Sequence, residues 1–153
     1  MRRGSSVGVI LLLALGLVAT PSYAQVSGGA SPGARDRGTR LEQNYPNPFN
    51  PETRIPFELD ESLFADGTPV KVTIRIYNIL GQPIATPIAL NHTEKPGAPV
   101  DQLVYTVPGR HEAHWDGRYQ RTGQEVPSGQ YYVQLTVEAR ERVRHTMPVT
   151  VAK

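Results

Sequence analysis

Apolar positions recur at every second residue along most of the chain from residue 41 onward. Ile55, Phe57 and Leu59 alternate with Arg54, Pro56 and Glu58, and Val70, Val72, Ile74 and Ile76 alternate with Lys71, Thr73, Arg75 and Tyr77. Tyr131, Val133, Leu135 and Val137 alternate with Gln130, Tyr132, Gln134 and Thr136, and Val143, His145, Met147, Val149 and Val151 form a last set. Successive side chains of an extended chain point to opposite faces, so each run predicts a strand with one face in the core and one in water. No window shows helical spacing over two or more turns. Turn residues punctuate the runs: Asp66-Gly67, NILG at 78–81, Pro96-Gly97, Pro108-Gly109, Asp116-Gly117, Thr122-Gly123 and Ser128-Gly129. Glycine supplies positive φ there, and Asp or Asn supplies local side-chain hydrogen bonds. About seven short strands without helices predict an all-β, immunoglobulin-like antiparallel β-sandwich. Ile55, Phe57, Val72, Ile74, Ile76, Trp115, Tyr131, Val133 and Leu135 are its expected core. Pro56 and Pro148 cannot donate to a ladder, which predicts edge strands or bulges for them.

The first 40 residues read differently. Arg2 and Arg3 precede an apolar run of 13 residues, 7–19, and Ser22-Tyr23-Ala24 supplies small residues at the two positions a signal peptidase reads. That is the pattern of a secretory signal peptide, residues 1–24, cleaved after Ala24. The run is shorter than the roughly 20 residues that span a bilayer, so no membrane span is expected after cleavage. Residues 25–40, QVSGGASPGARDRGTR, are rich in Gly, Ser, Pro and charge and predict a disordered tether. The folded domain is expected over 41–153.

Charge then changes the picture. The chain has 16 basic and 14 acidic residues, and the signal segment holds Arg2 and Arg3 but no acid, so the remainder is formally neutral. Nothing in that balance points to nucleic acid. There is no cysteine, so an exported domain must rely on its core alone, and thiol chemistry is excluded.

The stretch LEQNYPNPFNPETRIPFEL, 41–59, is rigid and polar before it becomes a strand. Pro46, Pro48 and Pro51 fix φ and restrict the residues before them, so the backbone is expected to run extended across one end of the sandwich. Asn44, Asn47 and Asn50 can bond backbone groups that no ladder satisfies, and Tyr45 and Phe49 are expected to pin the segment to the core. This stretch, VTIRIYNILGQ (72–82), WDGRYQRTGQEVPSGQYYVQLTV (115–137) and the closing VTVAK (149–153) together resemble the type A C-terminal sorting domains of the type IX secretion system. The WDGR block is also similar to FlgD-like immunoglobulin domains. On the resemblance, the family motifs fall on Asn44, Tyr45, Pro46, Asn47, Pro48, Phe49, Asn50 and Pro51, on Tyr77, Asn78 and Gly81, on Trp115, Asp116, Gly117, Gly129 and Tyr131, and on Lys153. It implies a non-catalytic domain, recognised by components of the type IX outer-membrane translocon, that passes through the periplasm to the cell surface or medium. A structural or adhesive FlgD-like module that binds a protein partner is the alternative. Residues 89–102, ALNHTEKPGAPVDQ, look like an inserted loop.

The titratable residues do not converge on a reaction. His111 and His114 fall on opposite faces of a strand and make a poor metal pair. His92 and His145 are expected to be structural. No serine outside the signal sits in a nucleophile elbow, and no glycine-rich loop joins a strand to a helix. No enzyme activity, cofactor or metal is expected.

Overall fold

The computed structural model describes residues 38–153. The signal peptide and residues 25–37 of the tether lie outside the described residues. Nine strands follow: β1 Thr39–Leu41, β2 Thr53–Leu59, β3 Val70–Tyr77, β4 Pro83–Ala85, β5 Ile88–Ala89, β6 Leu103–Tyr105, β7 Gly109–Trp115, β8 Gly129–Glu138 and β9 Arg142–Val151. One sheet has the order β1-β2-β7-β5. The other has the order β4-β3-β8-β9, with β6 also pairing β3. All these pairings are antiparallel, giving the expected immunoglobulin-like sandwich.

Nine strands replace the expected seven because β1, β4, β5 and β6 have only two or three residues each. A period of two cannot be read from so short a run. Thr39 and Arg40, the last two residues of the expected tether, pair with Leu59 and Glu58 in β1. Thr39 is buried, and its Oγ1 lies 2.7 Å from His145 Nε2 on β9, closing the gap between the two sheets on that side.

The alternation is realised residue by residue. β3 buries Val70, Val72, Ile74 and Ile76, β8 buries Tyr131, Val133, Leu135 and Val137, and all nine expected core residues are buried. Each such side chain contributes roughly 1.5–3 kcal/mol on leaving water. Pro148 lies on β9, which is an edge strand as expected. Pro56 does not: β2 is flanked by β1 and β7. It is tolerated because its carbonyl accepts from Glu42 N at 3.0 Å just beyond the end of β1, so no β1 carbonyl lacks a donor there.

The expected inserted loop, 89–102, is anchored in the core at Ala89, His92 and Val100, while most of its other residues are exposed. Val100 and Ala89 are fully buried, and Val100 joins Ile74 N to Pro87 O through its own backbone. His92 organises this turn. Its Nδ1 accepts from the amides of Glu94 and Lys95, which places the ring proton on Nε2, donating to Val104 O at 2.8 Å. The ring packs edge-on against Tyr105, and Tyr105 packs on Phe57 and His111. Burial pushes the Tyr105 hydroxyl well above its ordinary range.

His111 is buried in that cluster, with Nε2 bonded to Val107 O at 3.0 Å. Burial lowers its pKa first, the Val107 carbonyl opposes this, and His92 adds to the lowering. The folded protein therefore binds this proton less readily than the unfolded chain. The contribution is fully present above about pH 6.5, the unfolded value, and is lost as pH falls toward the depressed folded value. Thermal melts are expected to show a midpoint that drops between pH 7 and 5, and His111→Gln should flatten that slope. An unchanged slope in the variant would assign the acid lability elsewhere.

Candidate functional site

Prolines deny the opening stretch a ladder, so its structure depends on side chains and single bridges. Tyr45 makes one antiparallel bridge to Arg54 and Phe49 one parallel bridge to Val151, with bends at 46–48 and 50–51 in place of the expected extended run. The peptide bonds preceding Pro46, Pro48 and Pro51 are cis. Asn44 is buried, and its Nδ2 donates to Pro46 O at 3.1 Å and to Thr53 Oγ1 at 2.9 Å. Thr53 Oγ1 in turn donates to Pro46 O at 3.0 Å. The bend is thus held by one amide and one hydroxyl that water cannot reach.

The stretch then fastens onto the last strand. Asn47 Oδ1 accepts from Thr150 N, Phe49 N donates to Thr150 O, and Ala152 N donates to Phe49 O, each at 3.0 Å. These are the backbone groups β9 turns away from β8, which would otherwise form an open edge. The Phe49 ring is buried edge-on against Trp115 with centroids 5.3 Å apart, and Trp115 meets Tyr131 at 5.8 Å. Trp115 Nε1 donates to Arg118 O at 3.1 Å, and Tyr131 Oη donates to Pro127 O at 2.9 Å. Burial pushes the Tyr131 pKa up.

Gly117 makes this packing possible. Its φ is +70°, and a Cβ there would stand 2.1 Å from Pro51 O and 3.5 Å from the Phe49 ring. Only glycine meets both conditions. Asp116 Oδ1 accepts from Arg118 N at 3.1 Å to begin the hairpin, and Val126 N returns to Gly117 O at 2.8 Å to close it. Glu125 then receives Arg118 on one oxygen and Lys153 Nζ on the other, each at 3.0 Å. Its carboxyl is held below the usual range by the Lys153 hydrogen bond and then by the charges of Lys153 and Arg118. Lys153 N also donates to Ser128 Oγ at 3.1 Å, and Gly129 stands opposite Val151 at the start of β8.

The fourth segment joins through β4. Gln120 N donates to Ile84 O at 2.9 Å, tying the hairpin to the strand that follows the NILG turn. In that turn Asn78 Oδ1 accepts from the amides of Leu80 and Gln82, both at 3.0 Å, and Gly81 closes it at φ +74°. Tyr77 lies on the wet face of β3 and donates to Gln134 at 3.4 Å. Segments about a hundred residues apart in sequence are therefore gathered at one end of the sandwich.

Two expected residues stand apart. Tyr45 does not pin the segment to the core; it is 42% exposed and donates to Glu112 Oε1 at 2.6 Å across the outer face of β2 and β7. A polar hydroxyl can satisfy itself on the carboxylate there, and Phe49 already fills the space over Trp115. Asn50 is exposed, and among the described residues its side chain has no hydrogen-bond partner. Sequence reasoning missed Thr53, Thr150 and Glu125. Of these only Glu125 left a signal, as a charge facing Arg118 across the Gly123 turn.

The side chains at this end bond mainly to one another. His114 meets Glu52 at 3.1 Å on the surface, and a cleft of about 320 Å³ beside the hairpin is lined by Ile88, His114, Trp115, Asp116 and Tyr119 among others. Among the described residues no group of three or more His, Cys, Asp or Glu could hold a metal ion. No family model, characterised protein or solved structure matches the chain.

Gly117→Ala is expected to destabilise by at least about 2 kcal/mol in denaturant unfolding, from strain at positive φ and the clash with Pro51. Asn47→Ala should cost about 1 kcal/mol and expose the Thr150 amide to hydrogen exchange. Asn50→Ala should stay within about 0.5 kcal/mol of the parent. Equal costs for the two asparagines would mean that the bond to Thr150 is not what holds the segment.

Proposed function

We propose that this chain is an exported, non-catalytic sandwich whose motif-bearing end is recognised by the type IX outer-membrane translocon. Residues 1–24 direct it across the inner membrane as a signal peptide, and it passes through the periplasm to the cell surface or the medium. The observation that carries this reading is the assembly of the four resembling segments into one bonded unit. Phe49 sits on Trp115 and β9, Gly117 lies under Pro51, Lys153 is held on Glu125, and the hairpin is tied to the strand after Asn78–Gly81. Separate structural roles would not require those segments to meet. The bonds among these side chains also leave them without a poised acid, base or nucleophile, which fits recognition better than catalysis.

The test uses the full chain with a reporter inserted between Gly29 and Ala30, in a bacterium with a type IX system. Deleting 149–153 would be a poor probe, because Val149 and Val151 are core residues and Phe49 needs Val151 as its partner. Lys153→Gln leaves the core residues of β9 in place and removes one charge together with its ion pair to Glu125. The parent is expected at the surface, and the variant should reach it at least about tenfold less, a difference of about 1.4 kcal/mol in recognition, with the sandwich intact by circular dichroism. A parent reporter held in the periplasm would favour the FlgD-like structural or adhesive module, since one sandwich serves many functions.

A further inference from the structure

Ile79 and Leu80 are 72% and 76% exposed, adjacent, and carried on the NILG turn of the motif-bearing end. A single exposed aliphatic side chain needs no explanation, but here two adjacent ones stand in water together. The turn is also rigid. Asn78 Oδ1 fixes the amides of Leu80 and Gln82, Asn78 Nδ2 donates to Gln82 Oε1 at 2.9 Å, and the backbones of Asn78 and Gln82 bond at 3.1 Å. A turn that needed only to reverse the chain could carry polar residues at both tips without losing any of these bonds.

We infer that Ile79 and Leu80 form an apolar knuckle that inserts into a concave apolar socket of a protein partner. This rests on the reading that the motif-bearing end is a recognition surface. A fixed turn presents the pair with little entropy left to lose, which is what a small anchor needs. The knuckle is too small to bind alone, and its link to the rest of the end through β4, Ile84 and Gln120 supplies the surrounding contact area.

A bilayer is a poorer occupant. The two side chains offer about eight carbons, whereas even a myristoyl chain binds membranes with only about 10⁴ M⁻¹. The flanking Asn78, Gly81 and Gln82 bring no positive charge to hold anionic headgroups. On a second copy, the cleft at the opposite end is lined by Ser62, Asp66, Arg140 and Glu141 as well as Leu63 and Val143, so it offers charge where the knuckle needs an apolar wall.

The test combines Ile79→Ser with Leu80→Ser in the full-length reporter chain and, separately, places a photo-crosslinking amino acid at position 80. The melting midpoint of the double variant should stay within a few degrees of the parent, because neither side chain is buried. Surface delivery should fall at least about tenfold, and light should join position 80 to an outer-membrane protein. Delivery of the double variant at the parent level would overturn the knuckle while leaving the translocon reading intact. A parent that never reaches the surface would sink both. Co-sedimentation of the parent with vesicles of phosphatidylglycerol and phosphatidylethanolamine, abolished in the double variant, would replace the protein socket with a membrane and overturn the inference. A concentration-dependent rise in the parent's mass that the variant lacks would do the same in favour of a second copy.

Discussion

The contact on which most of this molecule depends is the seat of Phe49. Its ring closes the core over Trp115, and its backbone occupies the outer edge of β9 on both sides of Val151. Neither half would suffice by itself. A buried ring without the backbone bonds would leave Thr150 and Ala152 with open groups at a sheet edge, and the bonds without the ring would leave Trp115 facing water. Gly117 is the condition for both, because any side chain there would collide with the carbonyl of Pro51. One aromatic side chain and one missing methyl group thus couple the start of the domain to its last strand.

The same coupling solves an edge problem. β9 is the outermost strand of its sheet, and ten residues of exposed edge would invite pairing with other chains. Asn47 and Phe49 cover the end near Thr150. Pro148, two residues earlier on the same outward side, has no N–H to offer. Arg142 and Arg144 charge the remainder, and Thr39 ties His145 to β1. Four unlike devices protect one strand, each where the previous one stops.

The two ends of the sandwich differ in how they are filled. At one, Phe57, His92, Tyr105 and His111 form a buried aromatic cluster with polar atoms, and there Tyr105 Oη and His111 Nδ1 have no hydrogen-bond partner among the described residues. That end is sensitive to protons. At the other, the Phe49–Trp115–Tyr131 stack sends its polar atoms to backbone carbonyls, and the charged groups are paired at the surface. Those bonds fix the shape of that end.

The alternation of apolar residues in β2, β3, β8 and β9 determined the class of fold, the register of each long strand and the whole expected core, since a period of two leaves only one face to bury. The turn glycines and the asparagine of NILG were legible for the same local reason: φ and a two-residue hydrogen bond are set within a few positions. Tertiary structure alone decided the rest. The two- and three-residue strands exist only because a longer neighbour offers them a ladder, and the 89–102 loop is anchored in the core because Val100 found Ile74 across the sheet. That Asn47 would bond Thr150 while Asn50 would not, or that Tyr45 would turn outward as Phe49 turned in, could not be read from a motif in which each pair looks alike. Those choices depend on which atoms of β9 and the 115–129 hairpin stand opposite, and proximity across a hundred residues is a property of the packed chain.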